Sequence, residues 1–353
     1  MNIALRHFSI AQVTSSSPIF SVSSRLSVFW TRMSKFSCLF VFSSGFSSLK
    51  VFKSSFDHSL NRVFVIDGDY SHIYYSRQFF GGNVSLESIK FRNCFSELSG
   101  ASFYVSSGVT LKVSDCYFMS CKSSAGYSCY DVSLSSHELV RTCFFKCGNA
   151  QIKAHVTNSN QNNKIWLSSF SQSVGSAAYL ITGLCYYNSL NVSNNYGGIG
   201  HAGDHPAVYE MIHCCFSDIS SNFVVSPSCA QSKTASIESC NFVLIRSPFI
   251  IYHWGYSLYA KKCIFIMCEG SAAARNPNDS SGTIIDLIEC YSDRSLTSTG
   301  RMTNCVEYLS NITEIPITNV NTCDFPEYTQ HLLLEKGILS KKVVLFYSLL
   351  NAQ

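Results

Sequence analysis

The chain has 353 residues, of which 46% are hydrophobic and only 14% are charged, and its formal net charge is +4. No cluster of Lys and Arg occurs in its repeats, so the sequence excludes the basic footprint of a nucleic-acid-binding protein. Seventeen cysteines are a high and odd number, which in a secreted protein usually indicates a disulfide framework.

The first 56 residues differ from the rest because they contain six Lys and Arg but no Asp or Glu. Four interpretations fit this composition. The segment resembles a transit peptide; a start at Met33 in place of Met1 would begin a short signal peptide; Cys38 to Ser43 could be an isolated copy of the repeat described next; or the segment is disordered. We therefore predict a signal, targeting or poorly ordered segment over residues 1–60.

A short unit recurs from residue 93 onward: a small residue, any residue, an aromatic, two further residues, and a small or apolar residue. Clear copies are Cys116-Tyr117-Phe118…Cys121 and Cys263-Ile264-Phe265…Cys268. First positions fall at 93, 116, 143, 168, 194, 214, 240, 263 and 290, with the copy at 143 one residue shorter and those at 194 and 290 degraded. The interval averages about 25 residues, and such a period indicates a solenoid.

Each repeat is expected to hold three short strands and three turns. Ser, Gly and Asn fill the stretches between units, and no helical periodicity occurs over residues 84–325. This predicts an all-β protein: a right-handed parallel β-helix solenoid over residues 61–325, with about ten rungs of roughly 25 residues. An antiparallel sandwich is the alternative, but it gives no reason for aromatics to recur in phase.

Stacked rungs superpose equivalent side chains, so the repeat predicts two buried columns. One is a ladder of free thiols, with some disulfide pairs possible, at residues 116, 143, 214, 240, 263 and 290. The other is an aromatic ladder at residues 118, 145, 170, 216, 242 and 265. Zinc binding by Cys116/Cys121 and Cys263/Cys268 is the competing interpretation. These pairs lie six intervals apart along the rod, so we expect no metal and no cofactor.

From Pro326 the pattern changes. Residues 328–339 have helical spacing, and the last apolar run, residues 343–350, is too short to span a membrane. We predict a helical cap or tail over residues 326–353, which would cover the open end of the β-helix, and no transmembrane span in this chain.

The Cys-x-Phe-x-x-Cys rung, set among many Ser, Asn and Phe residues, resembles the repeat of right-handed parallel β-helix (pectin-lyase-like) proteins. It is most similar to the cysteine-rich sets of parabasalid protists, and the resemblance spans about residues 61–325. It implies the fold, and it implies a surface or secreted protein, because many relatives are thought to be held by one carboxy-terminal membrane helix. It does not set an activity, since the same fold carries lyases, hydrolases and adhesins.

A polysaccharide lyase or hydrolase on this fold would need carboxylates gathered on one face. The densest polar segment offers the weak catalytic candidates His201, Asp204 and His205. The companion segments of pectin-hydrolysing β-helices are absent, so a glycine-rich loop is the plainer interpretation.

Two further features bear on binding. The aromatic segment containing His253, Trp254 and Tyr256 could contact carbohydrate or pack a turn. Four Asn-x-Ser/Thr sequons permit glycosylation in the secretory pathway: Asn83, Asn191, Asn278 and Asn311. We expect a non-catalytic extracellular or cell-surface protein that binds glycans or host and cell-surface proteins; the alternative is a polysaccharide lyase or glycoside hydrolase.

Overall fold

A computed structural model of the chain describes residues 2–15, 17–21, 25–43, 48–66, 82–148, 151–156, 161–175, 177–181, 183–200, 208–275 and 284–308. Secondary structure in these residues is entirely β. The predicted helical tail, residues 326–353, lies outside the described residues.

The strands are short, apart from four that continue around a corner of the solenoid. In chain order they are β1 (Asn2–Arg6), β2 (Ser9–Val13), β3 (Phe20–Ser21), β4 (Arg25–Phe29), β5 (Arg32–Phe36), β6 (Val41–Ser43), β7 (Ser48–Phe52), β8 (Ser55–Ser59), β9 (Phe64–Ile66), β10 (Asn83–Glu87), β11 (Lys90–Arg92), β12 (Phe95–Ser96), β13 (Phe103–Ser114), β14 (Tyr117–Met119), β15 (Lys122–Ser123), β16 (Tyr130–Val140), β17 (Cys143–Phe145), β18 (Ile152–Val156), β19 (Asn162–Trp166), β20 (Ser169–Ser171), β21 (Ala178–Ile181), β22 (Leu184–Asn188), β23 (Asn191–Ser193), β24 (Ile199–Gly200), β25 (Val208–Ile212), β26 (Cys215–Ser220), β27 (Phe223–Val225), β28 (Ser228–Glu238), β29 (Asn241–Lys261), β30 (Ile264–Ile266), β31 (Glu269–Arg275), β32 (Ile284–Ile288), β33 (Tyr291–Ser292) and β34 (Arg301–Thr303).

All of these strands except β12 and β15, which pair with each other, stack in three parallel ladders. The first ladder runs β1, β4, β7, β10, β13, β16, β19, β22, β25, β28, β29, β32, β34. The second runs β2, β5, β8, β11, β14, β17, β20, β23, β26, β29, β30, β33. The third runs β3, β6, β9, β13, β16, β18, β21, β24, β27, β29, β31. The predicted parallel solenoid is confirmed.

The period also agrees with the prediction. From Lys90 to Tyr291, successive partners in the second ladder are 27, 26, 26, 22, 24, 26, 23 and 27 residues apart. Nine turns therefore repeat at about 25 residues, and neighbouring turns lie about 4.8 Å apart, as hydrogen-bonded strands do.

Two corners of nearly every described turn are formed by single non-glycine residues in the left-handed region, with φ between 46° and 60°. The corner between the first and second ladders is formed by His7, Trp30, Lys53, Ser88, Asp115, Arg141, Leu167, Ser189, His213, Ser239, Lys262, Glu289 and Asn304. The corner after the second ladder is formed by Gln12, Lys35, His58, Asn93, Ser120, Lys146, Gln172, Asn194, Asp218, Leu244 and Met267. One such residue turns the chain without a long loop.

The interior contains the predicted aromatic column. From Phe91 onward its members, each at most 1% exposed, are Phe91, Phe118, Phe144, Phe170, Val192, Phe216, Phe242 and Phe265. Neighbouring rings have centroids 4.6–5.2 Å apart and planes within 11° of parallel. This offset stacking fills the interior at strand spacing.

The copy at residue 143 was predicted in the wrong register. Phe144 pairs with both Phe118 and Phe170, so Phe144 belongs to the aromatic column and Phe145 does not. Thr142 accordingly takes the thiol-column position predicted for Cys143. The unit is therefore of full length, beginning at Thr142, because threonine serves as its small first residue.

Two other copies were misplaced by four residues. The unit predicted at residue 93 begins at Ile89, with Phe91 in the column, while Phe95 is 38% exposed. The unit predicted at residue 194 begins at Leu190 and places Val192 in the column. In both cases an apolar residue replaces the small first residue, which concealed the true copy.

Thiols form a second buried column, two positions before the aromatic one. Its members are Cys116, Thr142, Ser168, Leu190, Cys214, Cys240, Cys263 and Cys290. Each of its cysteines is a free thiol and donates its S–H to the carbonyl oxygen two residues earlier, at sulfur–oxygen distances of 3.2–3.6 Å. Each of these carbonyl oxygens also accepts a backbone N–H from the preceding turn, so the thiol gives the corner a second donor.

The amino-terminal segment was predicted to be a signal, targeting or poorly ordered stretch ending at residue 60. Its strands β1–β8 instead pair in parallel with the following turns, and β7 pairs directly with β10. Phe40 and Phe56 are fully buried in the same core. The described strands on the two sides of residue 61 therefore belong to the same parallel ladders.

Candidate functional site

The weak catalytic candidates His201, Asp204 and His205 lie outside the described residues, as do the sequons at Asn278 and Asn311. Among the described sequons, Asn83 is exposed at the first position of β10, and Asn191 is half-buried in β23.

The carboxylates that the structure describes are spread along the rod, and several of them are paired with cations on neighbouring turns. Arg141 binds Asp115 in bidentate fashion at 2.7 and 2.8 Å. Arg301 binds Asp286 in the same way at 2.8 and 2.9 Å. Within the described ranges, no group of three carboxylate or histidine ligands converges on one point.

The aromatic segment at residue 253 is only partly available to a ligand. The His253 side chain is fully buried, whereas Trp254 is 43% exposed. The Trp254 ring meets Tyr252 edge-on at 6.0 Å, and Tyr252 lies 5.1 Å from Phe249. Tyr256 belongs to β29, and its side chain is outside the description. A carbohydrate contact here would therefore rest on Trp254 and its two neighbours rather than on His253.

A cleft of about 570 Å³ opens at the first corner near the amino-terminal end. It is lined by His7, Phe8, Ser9, Trp30, Arg32, Lys53, Ser54, Ser55, Ser88 and Lys90. The corner residues and the first residues of β5, β8 and β11 supply most of this lining, so the cleft follows the solenoid axis over successive turns.

One wall of the cleft is aromatic. The Trp30 indole stacks on the His7 ring at 4.9 Å with planes 7° apart, and 43% of Trp30 remains exposed. The lining also contains Ser9, Ser54, Ser55 and Ser88, of which Ser54 is engaged with the main chain, accepting from the Thr31 amide at 3.2 Å and donating to the Phe52 carbonyl oxygen at 3.0 Å. A flat exposed ring with serines around it suits a ligand with one apolar and one hydroxylated face.

Three exposed cations surround this wall: Arg32, Lys53 and Lys90. None of them forms an ion pair with a carboxylate of the described residues. Arg32 and Lys90 both pair with Ser55, one from the turn before it and one from the turn after it. The two cations therefore occupy equivalent positions in the second ladder. The cleft therefore presents unneutralised positive charge to a ligand.

A second site lies inside the solenoid, where three thiols from two walls converge. Cys121 and Cys147 occupy equivalent positions on adjacent turns, and Cys129 faces them from the third ladder. The three sulfur atoms lie within 4.8 Å of one another, and all three residues are buried.

The pKa values of these three thiols are shifted in different directions. Burial alone would raise the pKa of Cys121, but hydrogen bonds from Cys129, Cys147, Cys94 and Ser102 outweigh burial and hold its pKa well below the ordinary value. Burial raises the pKa of Cys129 and that of Cys147.

Gln151 borders the thiol cluster. It follows Cys129 by one turn in the third ladder, where the Cys129 amide donates to the Gln151 carbonyl oxygen at 2.9 Å. Its side chain is fully buried, and among the described residues neither its amide nitrogen nor its amide oxygen has a hydrogen-bond partner. An unpaired buried amide is destabilising by about 1–3 kcal/mol, so this one requires an explanation.

A buried histidine forms a third polar group. His137 lies 3.0 Å from the Tyr130 hydroxyl and 3.0 Å from the Asn163 side-chain oxygen. Burial lowers its pKa to about 4, although the hydrogen bond to Asn163 acts in the opposite direction. The ring is therefore neutral, with Nδ1–H donating to Asn163 and Nε2 accepting from Tyr130. This arrangement is structural, since the ring has no access to solvent.

Sequence reasoning missed both the cleft and the thiol cluster. The cleft combines residues from positions 7 to 90, which only the turns of the solenoid bring together. Cys121 and Cys129 lack any metal-binding spacing, and Cys147 is one full turn away. The 26-residue separation of Cys121 and Cys147, equal to the repeat, was the available signal.

The described residues contain no helix that is long and apolar enough to cross a membrane. Comparison with protein-family models, with curated proteins and with solved structures finds no match to this chain. The conclusion that the geometry carries is the fold: a cysteine-rich parallel β-solenoid.

Proposed function

We propose that this protein is a non-catalytic β-solenoid that binds acidic carbohydrate through the cleft at its first corner. The observation that carries the proposal is the combination of the exposed Trp30 ring with Arg32, Lys53 and Lys90 around one cleft. An indole offers an apolar platform for a sugar ring, and an arginine fork recognises carboxylate or sulfate groups.

The length of the cleft suits an extended chain. Its lining spans several turns at about 4.8 Å each, which gives about 15 Å along the axis. Its cations recur along that axis, as anionic groups recur in a polyuronate or a sulfated glycan. A location at the cell surface or outside the cell, and a kinship with pectin-lyase-like solenoids, belong to the same proposal, and the sequon at exposed Asn83 would suit such a location.

The test compares two polymers that differ in whether their carboxyl groups are ionised or methyl-esterified. Polygalacturonate and its fully methyl-esterified form are titrated calorimetrically into the protein at low and high salt. We expect binding of the acidic polymer alone, weakening at least tenfold at high salt because exposed charges are screened. Equal affinity for the two polymers would overturn the proposal.

Variants locate the site. Trp30→Ala is expected to weaken binding at least tenfold, and Arg32→Glu to abolish it. Trp166→Ala is the matched control, because Trp166 is 37% exposed and lies outside the cleft; its affinity should change less than twofold. An unchanged affinity in Trp30→Ala would place binding elsewhere, with the patch around Trp254 as the next candidate.

The alternative, a polysaccharide lyase or glycoside hydrolase, is tested in the same samples. Either enzyme would shorten the polymer, so new chain ends would accumulate with time. We expect none above the rate in protein-free controls.

A further inference from the structure

We propose that Cys121, Cys129 and Cys147 bind one Zn²⁺ ion inside the solenoid, with the side-chain oxygen of Gln151 as the fourth ligand. Neither the repeat nor the proposed glycan binding requires this site. The inference rests on two independent observations: the convergence of three sulfur atoms, and the unpaired buried amide of Gln151, whose main chain is hydrogen-bonded to that of Cys129.

The sulfur geometry is close to that of a bound ion. Three sulfurs that ligate one zinc ion at about 2.3 Å lie about 3.8 Å apart in a tetrahedron. The three sulfurs here lie within 4.8 Å of one another. Side-chain rotations that move each sulfur atom by less than about 1 Å would therefore complete the site. Cys94 is on the turn before Cys121 and is thus two turns from Cys147, too far to join the same ion.

The fourth ligand is the side-chain oxygen of Gln151, and its role as a ligand would explain why this amide is buried without a partner. Zinc in structural sites is four-coordinate and accepts oxygen ligands as well as thiolates. The amide oxygen of Gln151 has no hydrogen-bond partner in the described part of the chain, and its carbonyl oxygen accepts from the Cys129 amide of the adjacent turn. Binding the ion would satisfy this oxygen.

Zinc binding would leave a small net charge in the interior. Zinc forms three Zn–S bonds as three S–H bonds break, and the three protons pass to solvent while the turns are still open. The product carries one net negative charge. Ser102 donates its hydroxyl to the Cys121 sulfur at 3.6 Å and so stabilises the thiolate. Because the finished interior is closed, binding is coupled to folding.

The first experiment counts zinc. The whole chain is refolded under reducing conditions with excess zinc, desalted, and analysed for metal by mass spectrometry. We expect about one zinc ion per chain in the unchanged protein and in Cys116→Ala, a control whose thiol is equally buried but outside the cluster. Cys129→Ala should hold less than about 0.1 zinc ion per chain. Absence of zinc from the unchanged protein, or retention by Cys129→Ala, would overturn the proposal.

The second experiment does not depend on the folding of a cysteine variant. X-ray absorption of the zinc-loaded unchanged protein should show three sulfur neighbours at about 2.3 Å and one oxygen or nitrogen neighbour. Four sulfurs would place the ion on another cysteine set, and a disulfide between Cys121 and either partner after reducing refolding would exclude the site; both results contradict the proposal.

Gln151→Leu separates a ligand from a packing residue. Without zinc, this variant should be more stable than the unchanged chain, because the unpaired amide is gone. It should nevertheless bind zinc at least tenfold more weakly. Unchanged zinc affinity would show that Gln151 is not a ligand and would overturn that part of the proposal.

Discussion

Phe144→Ala tests the aromatic column at its best-stacked member. The Phe144 ring lies 4.7 Å from Phe118 and 4.6 Å from Phe170, with planes within 5° of parallel, and it is fully buried. Truncating a buried phenylalanine to alanine costs about 3–5 kcal/mol, and two stacked contacts of about 0.5–1.5 kcal/mol each are lost as well. We expect the free energy of unfolding to fall by about 5 kcal/mol, the upper end of this range.

Phe145→Ala is the matched control for this change. Phe145 is the next residue, of the same type, but it lies outside the column beneath the Lys146 ammonium, which is 5.1 Å from its ring centroid. We expect a loss of about 2 kcal/mol, near the transfer free energy of one phenylalanine. Urea unfolding followed by circular dichroism measures both variants. A larger loss in Phe145→Ala than in Phe144→Ala would refute the register of this turn.

Two further predictions concern buried groups. His137 has a folded-state pKa of about 4, below the ordinary value of about 6.5, so the native state binds fewer protons than the unfolded state between these values. Its contribution to the free energy of unfolding, about 3 kcal/mol, is fully present above pH 6.5 and is lost as the pH falls to about 4. The urea midpoint of His137→Gln should therefore fall less between these pH values than the midpoint of the unchanged chain. An equal fall in both proteins would contradict this prediction. Gly198→Ala should destabilise the chain by about 3 kcal/mol, because its Cβ would lie 1.6 Å from the Val224 carbonyl oxygen. The control Gly148→Ala should change thermal unfolding little, because the three atoms nearest its Cβ belong to the side chains of Lys122 and Ser128 and lie at 3.1–3.5 Å. Similar effects in both variants would refute the close approach at Gly198.

The repeat was predictable because stacked turns demand the same side-chain types at the same phase. Phe118, Phe216, Phe242 and Phe265 each occupy the column position that their spacing predicted. A residue chosen for an interior position must fit its neighbours above and below, so the constraint is visible along the chain. This is why the period and the parallel fold followed from the sequence alone.

The register failed where the unit departed from its pattern. Thr142 replaces cysteine and shifted the assignment by one residue, while Ile89 and Leu190 hid two true copies. In the amino-terminal segment, Ser54-Ser55-Phe56…Ser59 fits the unit well, and Phe56 stacks on Phe91 at 5.6 Å. The segment's composition, poor in acidic residues, nevertheless suggested a targeting sequence.

The corners could not be predicted because they lack the usual residue signal. Left-handed corners generally favour glycine, but here they are formed by residues as different as Trp30, Asp115 and Leu167. The hydrogen bonds between stacked turns compensate for the strain, so the sequence need not provide glycine. The cleft was hidden for the same reason, since Trp30 and Lys53 reach it from corner positions.

The most direct test of the solenoid register, on which both proposed sites depend, is a measurement of contacts between phenylalanine rings in solution. In protein with selectively protonated phenylalanine, nuclear Overhauser effects should connect the Phe144 ring with those of both Phe118 and Phe170, whose centroids lie 4.7 and 4.6 Å away. If Phe118 and Phe170 contact the Phe145 ring instead, or contact neither Phe144 nor Phe145, the register is wrong.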